Sequence, residues 1–130
     1  MTQDRFGIAP YFIVPDVVAA AEFYRDKLGF HFDRYWGEPP GFVMVKRAGI
    51  VLMLSSIEGI RTAYPNCAVH PHACWDAYIW VPDARKLYEE FRSRDVTIKR
   101  GIEDTYYGCR DFDVVDPNGY VLCFGQDLGS

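Results

Sequence analysis

Long apolar runs are missing from this 130-residue chain, and none approaches the roughly 20 residues that a membrane-spanning helix needs. A glycine-rich phosphate loop, a Ser-His-Asp order and any basic stripe are missing too. With a formal net charge of −4, nothing in the charge pattern is built to attract nucleic acid or an anionic membrane. The segment Met1-Thr2-Gln3-Asp4-Arg5 has neither a basic nor an apolar stretch, so no signal peptide is expected and the expected location is the cytoplasm. Four cysteines (Cys67, Cys74, Cys109, Cys123) form no compact framework, and in a reducing compartment free thiols are expected.

What is present is a folded-protein composition, 49% hydrophobic and 16% aromatic, in a length that suits one domain with a real core. The chain also states one pattern twice. Tyr11-Phe12-Ile13-Val14-Pro15-Asp16 leads into an amphipathic run ending near Gly29, and Tyr78-Ile79-Trp80-Val81-Pro82-Asp83 leads into another ending near Asp95. Such a period marks two copies of one supersecondary unit. Two such units can face each other across a pseudo-twofold axis, where a ligand is expected.

In the first copy, residues 8–14 read as a strand and Asp16 as a helix N-cap. Val17, Ala20, Ala21, Tyr24 and Leu28 fall at helical spacing, with Gly29 placed for a left-handed C-cap. Strands are expected at about 30–36, 41–46 and 49–55. The second copy repeats the order, with a strand at 75–81, a helix from Asp83 to about Arg94, and strands near 96–100, 110–115 and 120–124. Asp116-Pro117-Asn118-Gly119 is hairpin-turn chemistry. The expectation is a single α+β domain over residues 1–130, built of two tandem βαβββ modules (about 6–56 and 74–126) joined by a linker at 57–73.

Strand side chains alternate between faces. The helix-free face of the second module should therefore carry Asp76, Tyr78, Trp80, Asp111, Asp113, Val121 and Cys123, and that of the first Ala9, Tyr11 and Ile13. Aromatic rings mixed with carboxylates suit a flat or cationic ligand. The alternative is that the rings only fill space between sheets and the acids lie at a wet rim. Arg110 could meet an anionic ligand group or pair with an acid across the sheet. Trp36 with Glu38-Pro39-Pro40 could form a lid or merely a capping turn. Cys67, His70, His72 and Cys74 place four zinc-type ligands in eight residues, but on one linker, where junction residues are the plainer reading. Cys123 has no histidine expected beside it, which favours packing over nucleophilic chemistry.

The repeat, the segment Phe23-Tyr24-Arg25-Asp26-Lys27-Leu28-Gly29-Phe30, and Gly108-Cys109-Arg110-Asp111-Phe112 with Asp116-Pro117-Asn118-Gly119 together resemble the vicinal-oxygen-chelate superfamily. That group includes glyoxalase I, extradiol dioxygenases, fosfomycin-resistance enzymes and bleomycin-resistance proteins. The resemblance implies curved eight-stranded half-barrels, commonly paired across a homodimer. Its metalloenzymes bind a divalent metal at positions that map here onto Ala9, Leu52 (or Met53), Asp76 and Cys123. Ala9 and Leu52 offer no donor, so the resemblance points to the metal-free, drug-sequestering branch typified by bleomycin-resistance proteins. The expectation is a cofactor-free, metal-independent binder of an aromatic or cationic molecule such as a glycopeptide antibiotic. Its ligand-binding residues would be Tyr11, Trp36, Asp76, Tyr78, Trp80, Tyr107, Arg110 and Asp113. The alternative is a lyase-, isomerase- or dioxygenase-like enzyme of the superfamily acting on a small carbonyl or aromatic substrate, with Asp76, Asp113 or Tyr78 as acid or base.

Overall fold

A computed structural model describes residues 5–129 of the chain. These divide into two compact units that meet between Arg61 and Thr62, inside the expected linker. Each unit is a four-stranded mixed sheet with one long helix, and the order of elements along the chain is the repeated βαβββ.

In the first unit, β1 (Tyr11–Ile13) leads to α1 (Val17–Leu28), then β2 (Tyr35–Trp36), β3 (Phe42–Arg47) and β4 (Ile50–Ser55), in the sheet order β1-β4-β3-β2. The Asp16 carboxylate accepts from the amides of Val18 and Ala19, both at 3.0 Å, which satisfies two otherwise orphaned donors at the helix start. Gly29 ends the helix at φ 73°, a left-handed conformation that costs glycine little. Between these caps the buried residues are Val17, Ala20, Ala21, Tyr24 and Leu28, the stripe that the spacing predicts. β1 is shorter than the expected 8–14. Of the expected 30–36 strand, only Tyr35–Trp36 pairs as a strand, with His31 and Lys46 forming an isolated bridge.

The second unit begins with a short helix, α2 (Asn66–Val69), within the segment expected to be linker. It continues with β5 (Ala77–Trp80), α3 (Ala84–Ser93), β6 (Ile98–Asp104), β7 (Cys109–Val115) and β8 (Val121–Asp127), in the order β5-β8-β7-β6. Phe91 of α3 packs edge-on against Phe112 and Phe124, whose rings stack on each other at 5.7 Å, so one sheet face is closed by the helix. At the β7–β8 turn, Asp116 accepts from the amides of Asn118 and Tyr120, while Gly119 takes φ 90°. β6 runs beyond the expected 96–100 because two register shifts, around Arg100, carry it past Gly101 and keep it paired with β7.

Register settles which residues share a face. Phe12 pairs with Leu54 and Val45 with Leu52, and all four are buried in the helix-side layer. Of the two positions that the resemblance implies, Leu52 therefore does not face the helix-free side. That position belongs to Met53, opposite Tyr11 and Met44. A single-residue offset exchanges the faces of a whole strand, and only the pairing partners decide it.

Candidate functional site

The helix-free face of the second unit carries a polar network centred on two buried carboxylates. Asp111 accepts from the hydroxyl of Tyr107 at 2.6 Å, the hydroxyl of Tyr78 at 2.9 Å and Nη2 of Arg100 at 2.6 Å. Asp113 accepts from Nε and Nη2 of Arg100, both at 3.0 Å, and from the indole N–H of Trp75 at 3.1 Å. Arg100 also donates from Nη1 to Glu103 at 2.8 Å, and its Nη2 lies 3.7 Å from the Cys123 sulfur. A buried carboxylate is tolerable only when paired and fully hydrogen-bonded, and this network meets that demand. One planar guanidinium serves both acids, a geometry that lysine could not supply.

Local sequence explains how these groups meet. Asp111 and Asp113 alternate with Phe112, so they leave the helix-side core together. Tyr78 sits opposite Cys123 on β8, and its ring crosses Gly125, the residue opposite Asp111, to reach that carboxylate. A Cβ at Gly125 would overlap the Tyr78 ring, so glycine here makes room for a side chain rather than for a backbone turn. Arg100 was missed in the sequence reading, because simple alternation along β6 fails where the strand is irregular. Gly101 inside the strand was the available signal.

The network fixes protonation states. Burial alone would raise the pKa of Asp111, but hydrogen bonds from Tyr107, Arg100 and Tyr78 outweigh it and hold the group below the ordinary carboxylate range. Burial and the bond to Asp111 push the phenols of Tyr78 and Tyr107 up, so both keep their protons. Burial, reinforced by Asp113 and Asp111, raises the Cys123 thiol, which is fully buried and stays protonated. Burial opposes the charge on Arg100, but Asp113, Asp111 and Glu103 more than restore it.

Around this polar centre stand aromatic rings. Trp75 and Tyr78 lie 4.9 Å apart, Tyr78 and Trp80 4.7 Å, and Tyr106 and Tyr107 5.2 Å. Trp80 is 62% exposed and Tyr106 fully so. An open cleft of about 670 Å³ is lined by Trp75, Tyr106 and Tyr107 together with Lys99, Arg100, Glu103, Asp104 and Asp113. That volume falls within the range of about 300–1,000 Å³ typical of small-molecule sites.

Of the sequence-predicted residues, Tyr78, Tyr107 and Asp113 meet in this network, and Trp80 adjoins it through the Tyr78 ring. Asp76 does not join them. One of its oxygens accepts from the Asn66 amide at 2.7 Å and the other from the Val121 amide at 2.8 Å, so it ties α2 to the start of β8. Arg110 alternates to the helix-covered face and pairs with Asp104 at 2.7 Å, the across-sheet alternative. Tyr11 and Trp36 belong to the first unit. There Trp36 packs edge-on against Phe42 at 5.7 Å, with the Arg34 guanidinium 4.5 Å from its ring centre, beside a smaller hollow of about 260 Å³.

The metal positions implied by the resemblance do not fit a divalent ion. In the first unit they are Ala9, which has no donor, and Met53, a soft thioether. In the second they are Asp76, with both oxygens committed to amides, and Cys123, protonated and beside the Arg100 guanidinium. Among the described residues no three His, Cys, Asp or Glu side chains could hold a metal ion together, and this includes the Cys67–Cys74 segment. In that segment the Cys67 thiol lies 3.8 Å from the Gly119 carbonyl and His70 Nδ1 accepts from the His72 amide. All four cysteines are free. No helix among the described residues is long and apolar enough to cross a membrane.

Residues 4–124 match the family model described as Glyoxalase/Bleomycin resistance protein/Dioxygenase superfamily. No curated protein matches the chain. Among solved structures, the bleomycin-binding protein of bleomycin-producing Streptomyces verticillus, complexed with copper(II)-bleomycin, is 27% identical with a TM-score of 0.67, over 99% of this chain and 100% of that one. The bleomycin resistance determinant encoded on transposon Tn5 is 20% identical with a TM-score of 0.72, over 95% and 98% of the two chains. TioX from Micromonospora sp. ML1 is 18% identical with a TM-score of 0.74, over 95% and 100%. The last two likenesses concern the fold.

Proposed function

From the premise that this chain belongs to the Glyoxalase/Bleomycin resistance protein/Dioxygenase superfamily, we propose that it is a metal-independent binding protein that sequesters a planar aromatic small molecule, of the kind a glycopeptide antibiotic presents. The observation that carries this reading is the set of aromatic rings on the helix-free face of the second unit, held by their polar tips. Trp75 is fixed through its indole N–H and Tyr78 and Tyr107 through their hydroxyls, which leaves the ring faces to make contact. Rings fixed before binding lose little entropy when a ligand arrives. The bleomycin-binding relative at 27% identity adds support from a protein of the same length and fold.

The cationic half of the expectation finds less support. Asp111 and Asp113 are buried and share the one Arg100 guanidinium, which offsets one of their two charges, so a ligand's cation would feel the remainder only at a distance. The enzymatic alternative finds less support for two of its three acid–base candidates. Tyr78 keeps its proton on Asp111, and Asp76 is spent on two backbone amides. Sequestration needs no bond to be made or broken, only affinity. A homodimer in the cytoplasm is part of the same proposal.

The test is a fluorescence titration of chelator-treated protein with metal-free and copper-loaded bleomycin, paired with thermal unfolding. The expected result is saturable quenching of tryptophan emission by a ligand of this kind and a rise in Tm with ligand concentration. Trp80→Ala should weaken the binding without lowering Tm in the absence of ligand. Stabilisation that appears only when a divalent transition metal is added would overturn the proposal. Light scattering on the same sample reports the dimer.

A further inference from the structure

Three residues that line the cleft of the second unit, Ala73, Cys74 and Trp75, belong to the segment 66–76, most of which is expected from sequence as linker. That segment is closed at its base. Asn66 donates its backbone N–H to Asp76 Oδ1 at 2.7 Å and its Nδ2–H to the Trp75 carbonyl at 3.0 Å, so the first residue holds the last two. Asp76 is in turn fixed to β8. Its Oδ2 accepts from the Val121 amide at 2.8 Å, and its own amide donates to the Val121 carbonyl at 2.8 Å. Inside the loop the His70 amide donates to the Asn66 carbonyl and the Ala73 amide to the His70 carbonyl. A compact loop of about 6–16 residues whose ends meet is a self-contained piece of structure, and such loops often carry function. Trp75 is thus tethered twice, by its carbonyl to the base of the loop and by its indole N–H to Asp113 on β7.

We infer that the segment 66–76 is a ligand-contacting loop of this cleft, and that Asn66 and Asp76 are the residues that position its Trp75 ring. The inference rests on the aromatic-binding reading above and says which residues preorganise that surface. The bond to Asp113 fixes only the tip of the indole, and the ring can still pivot about it unless the backbone that carries it is held. Asn66 holds that backbone at Trp75, and Asp76 ties both to the sheet through Val121. A ring held in this way gives up little freedom when a planar ligand settles on it, whereas a loosened ring gives up more. Affinity therefore falls when the base of the loop is opened, although no group that touches the ligand is removed. A mere junction between modules would need Asn66 and Asp76 for stability alone.

Asn66→Ala removes the side-chain tether to Trp75 and keeps the backbone N–H that Asp76 accepts. Asp76→Asn preserves size but turns one acceptor into a donor facing an amide N–H. In nitrogen–proton correlation spectra of the full chain, solvent exchange of the Trp75 indole N–H should quicken about fivefold in either variant, the worth of one net hydrogen bond. The Trp80 indole should not change. Fluorescence titration with copper-loaded bleomycin should show a matching loss of affinity, about fivefold for Asn66→Ala and at least as much for Asp76→Asn. Gln126→Ala is the control, because its hydrogen bond caps α3 on the other face of the sheet. It should lower stability and leave affinity within about twofold of the natural protein, which separates positioning from general destabilisation. Should Asp76→Asn not fold, Asn66→Ala decides alone. Unchanged indole exchange, faster exchange with unchanged affinity, or an equal loss of affinity in Gln126→Ala would overturn the role of the loop and leave aromatic binding standing. If the natural protein does not bind the probe, the aromatic-binding reading falls and takes this inference with it.

Discussion

The two units put different chemistry on equivalent lattice points. In the first, Tyr11 lies opposite Met53, which lies opposite Met44; Ile13 lies opposite Ser55, which lies opposite Phe42. In the second, the same two rows read Tyr78, Cys123, Asp113 and Trp80, Gly125, Asp111. Met44 and Phe42 thus stand where Asp113 and Asp111 stand in the other copy. On the helix side the copies agree, with an aspartate N-cap, an apolar helix stripe and buried strand partners in each. A repeated scaffold constrains one face of each sheet and leaves the other free to differ. The tyrosine shared by the two copies shows the consequence. Tyr11 is half exposed, whereas Tyr78 is drawn down across a glycine onto a buried carboxylate.

The sharpest way to break this difference is to remove the ion that makes it possible. Arg100→Met leaves Asp111 and Asp113 buried without an opposite charge, held only by Tyr107, Tyr78 and Trp75, and should cost about 3–5 kcal/mol, read from the urea midpoint. Met44→Ala on the equivalent row of the first unit removes only apolar contact from a half-buried side chain and should cost less than half as much. Equal losses would mean that the network contributes nothing beyond packing. Next in size is Gly125→Ala. Its methyl overlaps the Tyr78 ring, so the substitution should cost about 2–3 kcal/mol through overpacking and a displaced hydroxyl. Replacing Tyr78 with leucine in the same chain should recover part of that loss.

Acid titration separates the faces again. Asp111 has a folded-state pKa below its unfolded value, so the stability it contributes is complete above about pH 4 and is lost as pH falls through the folded pKa. Tyr107→Phe removes one of the three donors and raises that folded pKa, so the acid-dependent loss should become smaller and be complete at a higher pH. At neutral pH the same variant should lose about 1 kcal/mol, a modest figure because the Tyr107 ring is 43% exposed. Urea midpoints at pH 7, 4 and 3 provide the check; an unshifted acid limb would deny the phenol its role.

What could be read from sequence follows from how local each signal is. The helix stripe, the Asp16 cap and the Gly29 terminus depend on residues a few positions apart, and the structure has them as expected. The split of Asp111 and Asp113 from Phe112 is also local, a matter of alternation along one regular strand. Arg100 was hidden because β6 slips register on both sides of it, so counting from a core residue gives the wrong face. The choice between Leu52 and Met53 stayed open because β4 is apolar on both faces, and its orientation is fixed only by its pairing with β3 and β1. Asp76 reads as a site residue because alternation along the expected 75–81 strand puts it on the face of Tyr78 and Trp80. Its actual partners, the amides of Asn66 and Val121, lie in elements that composition alone does not bring together.

The smallest effect lies where the two copies nearly coincide. Strand register makes Ser56 the counterpart of Gln126, each following the residue opposite the last paired position of β1 or β5. Gln126 Oε1 accepts from the Ala84 amide at 3.0 Å, supplementing the Asp83 cap at the start of α3. The shorter Ser56 hydroxyl is buried with no hydrogen-bond partner, and Asp16 alone supplies the side-chain cap of α1 with two amide contacts. Gln126→Ala should therefore cost about 0.5–1 kcal/mol, because it strips a helix-start amide of its acceptor. Ser56→Ala should be neutral or stabilise by up to about 1 kcal/mol, since it deletes a hydroxyl that was desolvated without return. The opposite signs matter more than the sizes. A loss of stability in both variants would mean that Ser56 has a bonding role equivalent to that of Gln126, and the two copies would then differ in their polar content on one sheet face only.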